Sequence, residues 1–296
     1  MSMDINIDKD TDLTQFEQHI QWYPGHIAKL RRELDETLKL LDVLVVVIDA
    51  RMPHASFNQD ILGPLIKGNK PGLLLLNKSD LAEPAVTATW AEHFKAQGWT
   101  VLSHNSKQGR PQAIIQAMMT LGETTWTKLE AKGLRRRPLR VGVIGMPNVG
   151  KSSLINSLLK QKKTKTGDKA GVTRHIRWVK LNTNLELLDT PGLIPPKLDD
   201  QEAAILLSAV YSIGEKAFDP IAVAESILIT IDPLYGKTLR NHYQLDTDAE
   251  LTLETIAASR GMLKNATEGD IPRAAHAVLK DIRHGFWGPV SFERPL

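Results

Sequence analysis

The chain has 296 residues, of which 42% are hydrophobic and 24% are charged, and these values are typical of a globular protein with one large or two modest domains. It contains no cysteine, which excludes disulfides and cysteine-ligated zinc sites. The longest aliphatic run, residues 43–48, is too short to cross a bilayer, so we expect no membrane segment.

The formal net charge is only +3, but the basic residues are distributed unevenly. Residues 128–140 hold six basic residues against one acidic residue, and residues 160–180 hold eight against one. Such clusters usually form solvated surface. Two of them in one chain strengthen the expectation of an RNA partner.

Residues 1–18 carry Asp4, Asp8, Asp10 and Asp12 and are expected to form a disordered acidic lead. This segment resembles neither a secretory signal nor a transit peptide. We therefore expect a cytoplasmic protein, and we expect it to be a monomer.

The next part of the chain, residues 19–198, alternates between strand-like and helix-like apolar patterns. It is predicted to form an α/β domain, a mostly parallel sheet with helices on both faces. In chain order the pattern predicts a helix from residue 27, strands at 43–49 and 73–76, a helix at 86–97, a strand at 100–102, a strand at 139–144, a helix at 153–159 and a strand at 185–188.

The composition changes after Pro195-Pro196, where strand patterns stop. Helices are predicted at 202–216, 220–230, 251–259 and 271–283, with Asp219 before Pro220 as one start signal and Gly285 as one stop signal. Residues 199–296 are therefore predicted to form a separate, small all-helical domain.

The segment from Gly145 to Ser152 reads Gly-Met-Pro-Asn-Val-Gly-Lys-Ser and lies between a predicted strand and a predicted helix. This is the order that a phosphate-binding loop requires, because backbone N–H groups and the helix N-terminus both face the phosphates. Gly150 allows close approach of the backbone to the ligand, Lys151 is placed to reach the β- and γ-phosphates, and Ser152 is placed to bind Mg²⁺. The alternative is a chance glycine turn before a helix.

The tetrapeptide Asn77-Lys78-Ser79-Asp80 follows a predicted buried strand and would distinguish GTP from ATP. Asp80 can accept hydrogen bonds from guanine N1–H and the 2-amino group, a pair that adenine does not present. Asn77 can donate to guanine N7, and the stem of Lys78 can cover the base. Alone, a polar turn after a strand is the simpler interpretation. Together with the phosphate loop, the tetrapeptide indicates guanine nucleotides.

A third element, Asp189-Thr-Pro-Gly192, follows another predicted strand. Asp189 is placed to hold the Mg²⁺ shell, and the Gly192 N–H is placed to contact the γ-phosphate. A second hydroxyl ligand to Mg²⁺ is expected between the phosphate loop and Asp189. Thr173 is our choice for this ligand, with Thr164 and Thr166 as alternatives.

The order of these elements is unusual, because the guanine tetrapeptide precedes the phosphate loop. The sheet of a GTPase is therefore predicted to be circularly permuted, which doubly wound folds tolerate because their termini lie at the surface. This order, together with Trp22-Tyr-Pro-Gly-His26, Asp49-Ala-Arg51 and Ser291-Phe-Glu-Arg-Pro295, resembles the ribosome biogenesis GTPase A family, also called the YlqF family. The resemblance covers almost the whole chain apart from the acidic lead.

The resemblance implies a GTPase that binds the maturing large ribosomal subunit, its RNA and proteins, and hydrolyses GTP late in assembly. It implies that Asn105 and Ser106 contact guanine O6 through backbone N–H groups, and that Asn148 helps to ligate K⁺ beside the phosphates. Asn148 could instead only brace the loop. The full set of residues expected to bind GTP is Asn77, Lys78, Ser79, Asp80, Asn105, Ser106, Asn148, Val149, Gly150, Lys151, Ser152, Ser153 and Gly192.

Leu193 occupies the position at which Ras-like enzymes have a water-orienting glutamine, so intrinsic hydrolysis is expected to be slow. From the residues alone, His26 is more simply a helix cap or a packing partner of Trp22. The resemblance instead favours His26 as the group that orients water. The expected catalytic set is then His26, Lys151, Thr173 and Gly192.

Two other functions remain open at this point. The chain could be a GTP-dependent RNA-binding module whose hydrolysis is incidental, which Leu193 keeps possible. It could also be a GTPase that serves another RNA, as in tRNA modification. The Trp22–His26 segment argues against the second alternative, but only through the resemblance.

Overall fold

The computed structural model describes residues 36–57, 59, 63, 70–105, 111–159, 177–192, 200–264 and 268–295. In these parts of the chain six strands form one sheet: β1 (Val43–Asp49), β2 (Gly72–Asn77), β3 (Thr100–His104), β4 (Leu139–Ile144), β5 (Arg177–Lys180) and β6 (Leu185–Asp189). The α-helices are α1 (Pro53–Phe57), α2 (Pro84–Ala96), α3 (Pro111–Ala131), α4 (Lys151–Leu159), α5 (Gln201–Ala209), α6 (Pro220–Tyr243), α7 (Leu253–Ser259) and α8 (Ile271–His284).

The sheet has the strand order β3-β2-β1-β4-β6-β5, in which β5 is antiparallel to its neighbour and the other strands are parallel. The register aligns Asp49 with Asn77, and Asn77 with His104, so the carboxyl ends of three neighbouring strands stop level with one another. The loops that follow these strands therefore leave the sheet at the same edge.

Both faces of the sheet are covered, which explains why its central strands read as continuous apolar runs. On one face Val43, Val45 and Val47 belong to a core that also includes residues of α3 and α4. On the other face Leu44 and Ile48 pack with apolar residues of α2. The predicted α/β fold, a mostly parallel sheet with helices on both faces, is confirmed.

Helices α1 and α3 and strand β5 were not predicted from the sequence. The buried residues of α3 recur every three or four positions, but Gly122 and several threonines weaken the apolar pattern of this helix. Strand β5 has no buried residue and lies at the edge of the sheet, where it pairs with β6. The sequence of β5 shows no alternation of apolar and polar residues, because no second layer of structure covers this strand.

Two predicted helices have different ends in the structure. The helix predicted at 202–216 stops at Ala209, because Tyr211 adopts a left-handed backbone with φ 60°. The helix predicted at 220–230 continues to Tyr243 through Pro233. Residues on both sides of that proline are buried, and this packing offsets the missing backbone hydrogen bond.

The helical part of the chain from residue 200 onward packs on the sheet layer within one continuous apolar core. In α8 Asp270 caps the first turn by accepting from the Arg273 N–H at 3.1 Å, and Gly285 ends the helix with φ 73°. Among the described residues, every helix is too short or too polar to span a bilayer. The division of the chain at residue 199 stays a prediction.

A buried ion pair joins the sheet to the helical region. Asp49 and Arg51 each have only 1% of their side-chain surface exposed, and they meet at 2.8 Å. The same carboxylate accepts from Lys78 Nζ at 2.9 Å. The other end of the Arg51 guanidinium donates to the carbonyl of Ile282 in α8 at 2.6 Å. Burial alone would raise the pKa of Asp49, but the charges of Arg51 and Lys78 outweigh it and hold this pKa well below its usual range.

We expect Asp49→Asn to destabilise the protein by about 3–5 kcal/mol, because the substitution leaves two cations without a buried counter-charge. Urea unfolding followed by circular dichroism measures the free energy of unfolding. The matched control is Glu92→Gln, since Glu92 forms an exposed pair with Lys95 at 2.8 Å, and its loss should cost about 1 kcal/mol or less. A similarly small cost for Asp49→Asn would contradict the role of this ion pair in holding the sheet and the helical region together.

Candidate nucleotide-binding site

Five loops meet at the carboxyl edge of the sheet, and they contain the described candidate residues. They follow β1, β2, β3, β4 and β6. Strand β1 pairs with β2 on one side and β4 on the other, so the chain order reverses here. A crevice at such a reversal is the usual ligand site of an open α/β sheet.

Lys151 lies at the start of α4, and its side chain is buried against the loop before it. Its ammonium donates to the carbonyls of Gly145 at 3.0 Å and Met146 at 2.7 Å. Burial lowers the pKa of Lys151 to about 7, an effect that the charge of Asp189 partly offsets. An anionic ligand would stabilise this buried ammonium. The same ligand would also accept hydrogen bonds from the backbone N–H groups at the N-terminus of α4.

The backbone of the phosphate loop has the shape that its glycine spacing predicts. Asn148 and Gly150 both have positive φ, at 58° and 101°. The carbonyl of Val149 accepts from Asn77 Nδ2 at 2.7 Å, so the loops after β2 and β4 are joined. Ser152 and Ser153 then open α4, with Ser153 exposed. The structure therefore brings the predicted guanine and phosphate residues together.

Asp80 is exposed at the open end of the loop after β2, where its carboxylate is accessible to a ligand. The loop is held from below, since the Ser79 N–H donates to the His104 carbonyl at 3.2 Å. Lys78 has a left-handed backbone with φ 58°. Burial lowers the pKa of Lys78, whereas the charge of Asp49 raises it. Asn105, which follows His104, lies at the same edge.

Asp189 is buried at the end of β6, and its Oδ2 accepts from the Arg177 guanidinium at 3.3 Å. The next residue, Thr190, donates to the Val143 carbonyl at 2.8 Å and so fixes the turn to β4. Gly192 lies against the phosphate loop. A Cβ atom at Gly192 would fall 2.6 Å from Pro147, so a side chain there would displace that loop.

The donor set fits a magnesium ion. A hydroxyl from Ser152 and a carboxylate from Asp189 are hard oxygen ligands, which Mg²⁺ prefers together with phosphate oxygens and water. Within the described ranges no group of three or more histidine or acidic side chains could hold a metal without such a substrate.

Several predicted positions lie outside the described residues, and the structure says nothing of them. These are His26, Ser106, Thr164, Thr166, Thr173 and Leu193.

The sequence reasoning missed a direct contact between the helical region and the phosphate loop. Asn148 Nδ2 donates to the Tyr211 carbonyl at 2.6 Å, and Ser212 Oγ donates to the Pro147 carbonyl at 2.7 Å. The hydrogen bond from Asn148 Nδ2 fits the alternative in which this side chain only braces the loop. A K⁺ ion would instead be bound by the amide oxygen of the same side chain. No local signal in the sequence marks Tyr211 and Ser212, because the contact depends on how α5 ends.

Comparison with known proteins gives the same picture. The family described as 50S ribosome-binding GTPase matches residues 140–260, a range that begins after the guanine tetrapeptide and so reflects the permuted order. Ribosome biogenesis GTPase A of Bacillus licheniformis is 39% identical over 280 residues, which cover 93% of this chain and 98% of that protein. The Thermotoga maritima protein of the same name is 29% identical, with 93% and 95% covered.

Two solved structures are similar over most of the chain. The GDP-bound structure of TM YlqF has a TM-score of 0.64 and 27% identity, and the match covers 89% of this chain and 99% of that one. The GNP-bound YlqF from T. maritima has a TM-score of 0.59 and 26% identity, with 90% and 98% covered. With these relatives and this nucleotide edge, the chain belongs to the ribosome biogenesis GTPase A family, and it is a GTP hydrolase with a circularly permuted GTPase fold.

Proposed function

We propose that this GTPase binds the maturing large ribosomal subunit and hydrolyses GTP late in its assembly, in the cytoplasm and as a monomer. The observation that carries this proposal is the direct contact of Tyr211 and Ser212 with the phosphate loop. It places the helical region, residues 199–296, where a change at the phosphates can alter its packing. That region is the proposed RNA-binding domain.

Guanine is bound by the loop after β2, with Asp80 accepting from N1–H and the 2-amino group and Asn77 donating to N7. Asn105 and Ser106 contact O6 through backbone N–H groups. The hydrogen bond from Asn77 Nδ2 to the Val149 carbonyl supports this role, because it keeps the loops after β2 and β4 at a constant separation.

The phosphates are bound by the loop from Asn148 to Ser153, with Lys151 neutralising charge on the β- and γ-phosphates. Ser152, Thr173 and Asp189 would hold Mg²⁺, and this ion would neutralise the charge that develops between those phosphates. Gly192 contacts the γ-phosphate through its N–H. Asn148 would add a K⁺ ion beside the phosphates through its amide oxygen.

The water-orienting group is His26, because Leu193 cannot form hydrogen bonds with water. A neutral imidazole accepts a proton near physiological pH, which suits this task. Hydrolysis is then slow in the free protein and faster on the ribosomal subunit.

The proposed RNA surface is an exposed stripe on α8, here called the α8 stripe. Its members recur at helical spacing and are exposed: Arg273, His276, Lys280 and His284. At its end His284 stacks on the exposed ring of Phe286 with the ring centroids 5.4 Å apart. The arginine and lysine on this helix face suit a phosphate backbone, and an exposed aromatic ring suits an unpaired base.

Three arginines of the helical region are engaged within the protein. Arg260 pairs with Asp281 at 3.0 Å, and Arg294 pairs with Glu83 at 3.4 Å. Arg283 donates to the Ala209 carbonyl at 3.1 Å, and burial lowers its pKa to about 9. These arginines hold the fold, which leaves the α8 stripe as the better phosphate-binding surface.

Asp80→Asn should weaken GTP binding by about a hundredfold, because two hydrogen bonds to a charged acceptor are lost. Binding of xanthosine triphosphate should improve, since its C2 oxygen suits an amide donor. Fluorescence titration with labelled nucleotides measures both dissociation constants. Full retention of GTP affinity would contradict the assignment of the guanine loop.

His26→Ala should lower GTP turnover on the large ribosomal subunit by about a hundredfold and leave GTP affinity near that of the wild type. Single-turnover hydrolysis with and without subunits separates this step from binding. An equal loss of affinity and turnover would indicate a structural role. Wild-type turnover that subunits do not stimulate would favour the alternative of a binding module with incidental hydrolysis.

Arg273→Ala combined with Lys280→Ala should weaken co-sedimentation with large subunits and lower the slope of log affinity against log salt by about two, since two phosphate contacts are removed. The wild type should bind subunits more tightly with a non-hydrolysable GTP analogue than with GDP. Lys95→Ala, an exposed lysine on α2, is the matched control and should change neither quantity. An unchanged salt slope in the double variant would exclude the α8 stripe as the RNA surface.

A further inference from the structure

The guanine loop continues without a break into Leu81, Ala82 and Glu83, which lead into α2. The start of the loop is held by β2 and by the joint between Asn77 and Val149. Asp80, the residue proposed to bind the base, lies between these two segments. Its position therefore depends equally on what holds the residues that follow it.

Those following residues are held by the C-terminal segment Val290, Ser291, Phe292, Glu293 and Arg294, here called the C-terminal strap. The Val290 N–H donates to the Leu81 carbonyl at 3.0 Å. The Glu83 N–H donates to Ser291 Oγ at 3.1 Å, and Ser291 is fully buried. The strap thus forms hydrogen bonds to the backbone on both sides of Ala82, one through its own backbone and one through the Ser291 hydroxyl.

The strap is itself fixed to the sheet layer at several points. The Phe292 N–H donates to the Arg51 carbonyl at 2.8 Å, and Trp90 Nε1 donates to the Glu293 carbonyl at 3.2 Å. The partly buried Glu293 carboxylate accepts from the backbone N–H of His54 at 2.6 Å. A segment with so many fixed points can serve as a rigid support for the loop beside it.

Tyr235 of α6 joins the loop and the strap through one hydroxyl. It donates to Glu83 Oε2 at 2.6 Å and accepts from the Ser291 N–H at 3.1 Å. The hydroxyl therefore bridges the two segments. Its removal loosens their contact without removing a side chain of the loop after β2.

We propose that the C-terminal strap and Tyr235 position Asp80, so that selectivity for guanine depends on the last residues of the helical region. A carboxylate that accepts two hydrogen bonds from one base edge has to be held within a few tenths of an ångström of the correct place. Tyr235 and Ser291 are positioning residues, since they act through the loop and do not touch the nucleotide. This inference rests on the proposed role of Asp80.

The test compares GDP with inosine diphosphate, which lacks the 2-amino group that Asp80 accepts from. Calorimetric titration of the full chain gives the dissociation constant of each nucleotide, and the ratio used here is the constant for inosine diphosphate divided by that for GDP. Tyr235→Phe should weaken GDP binding about fivefold or more and inosine diphosphate binding less, so that the ratio falls. A general loss of stability would weaken both nucleotides equally.

Tyr243→Phe is the matched control, because it removes the same hydroxyl from the same helix. That hydroxyl accepts from Trp287 Nε1 at 2.8 Å. The control should leave this ratio of dissociation constants unchanged. Ser291→Ala is a second, smaller variant that removes only the acceptor for the Glu83 N–H. It should lower the ratio and keeps the test decisive if Tyr235→Phe does not fold.

The outcomes separate this inference from the proposed function. If Asp80→Asn lowers the ratio while Tyr235→Phe and Ser291→Ala do not, the guanine site stands and the positioning role is overturned. Equal weakening of both nucleotides in these variants also overturns it. If Asp80→Asn leaves the ratio unchanged, the guanine assignment fails and this inference fails with it.

Discussion

The carboxylate of Asp49 neutralises the buried guanidinium of Arg51 and the partly exposed ammonium of Lys78, and much of the structure depends on this arrangement. Arg51 is almost fully buried, and a buried guanidinium without a counter-charge costs several kcal/mol. Asp49 at the end of β1 bonds to Arg51 and to Lys78 in the loop after β2, and Arg51 donates to the Ile282 carbonyl in α8. The sheet, the loop after β2 and the helical region therefore cannot shift independently.

The helical region contacts the nucleotide edge at both of its ends. On the phosphate side Tyr211 and Ser212 hold the loop after β4, and on the base side the C-terminal strap holds the residues after Asp80. The helices between these points share one closely packed core with the sheet. Because packed cores change between discrete arrangements and do not deform continuously, a shift at either end affects the same helices.

The sequence by itself determined the α/β fold, the permuted order and the residues that meet at the nucleotide edge. Strands covered on both faces need continuous apolar runs, and β1 and β2 show them. The phosphate loop needs a positive φ at Gly150, where φ is 101° and glycine is the residue that adopts it at least cost. These requirements act within a few neighbouring residues, so a local pattern records them.

The tertiary structure decided what depends on distant residues. Helix α6 continues through Pro233 because both halves of the helix are buried, and β5 exists because β6 offers it a free edge. Arg51 connects the sheet to α8 because its guanidinium reaches the carbonyl of Ile282, which lies 231 positions away in the chain. Nothing in the sequence around Tyr235 or Ser291 indicates that they meet beside the guanine loop. Such contacts arise from packing between segments, and a one-dimensional pattern does not contain them.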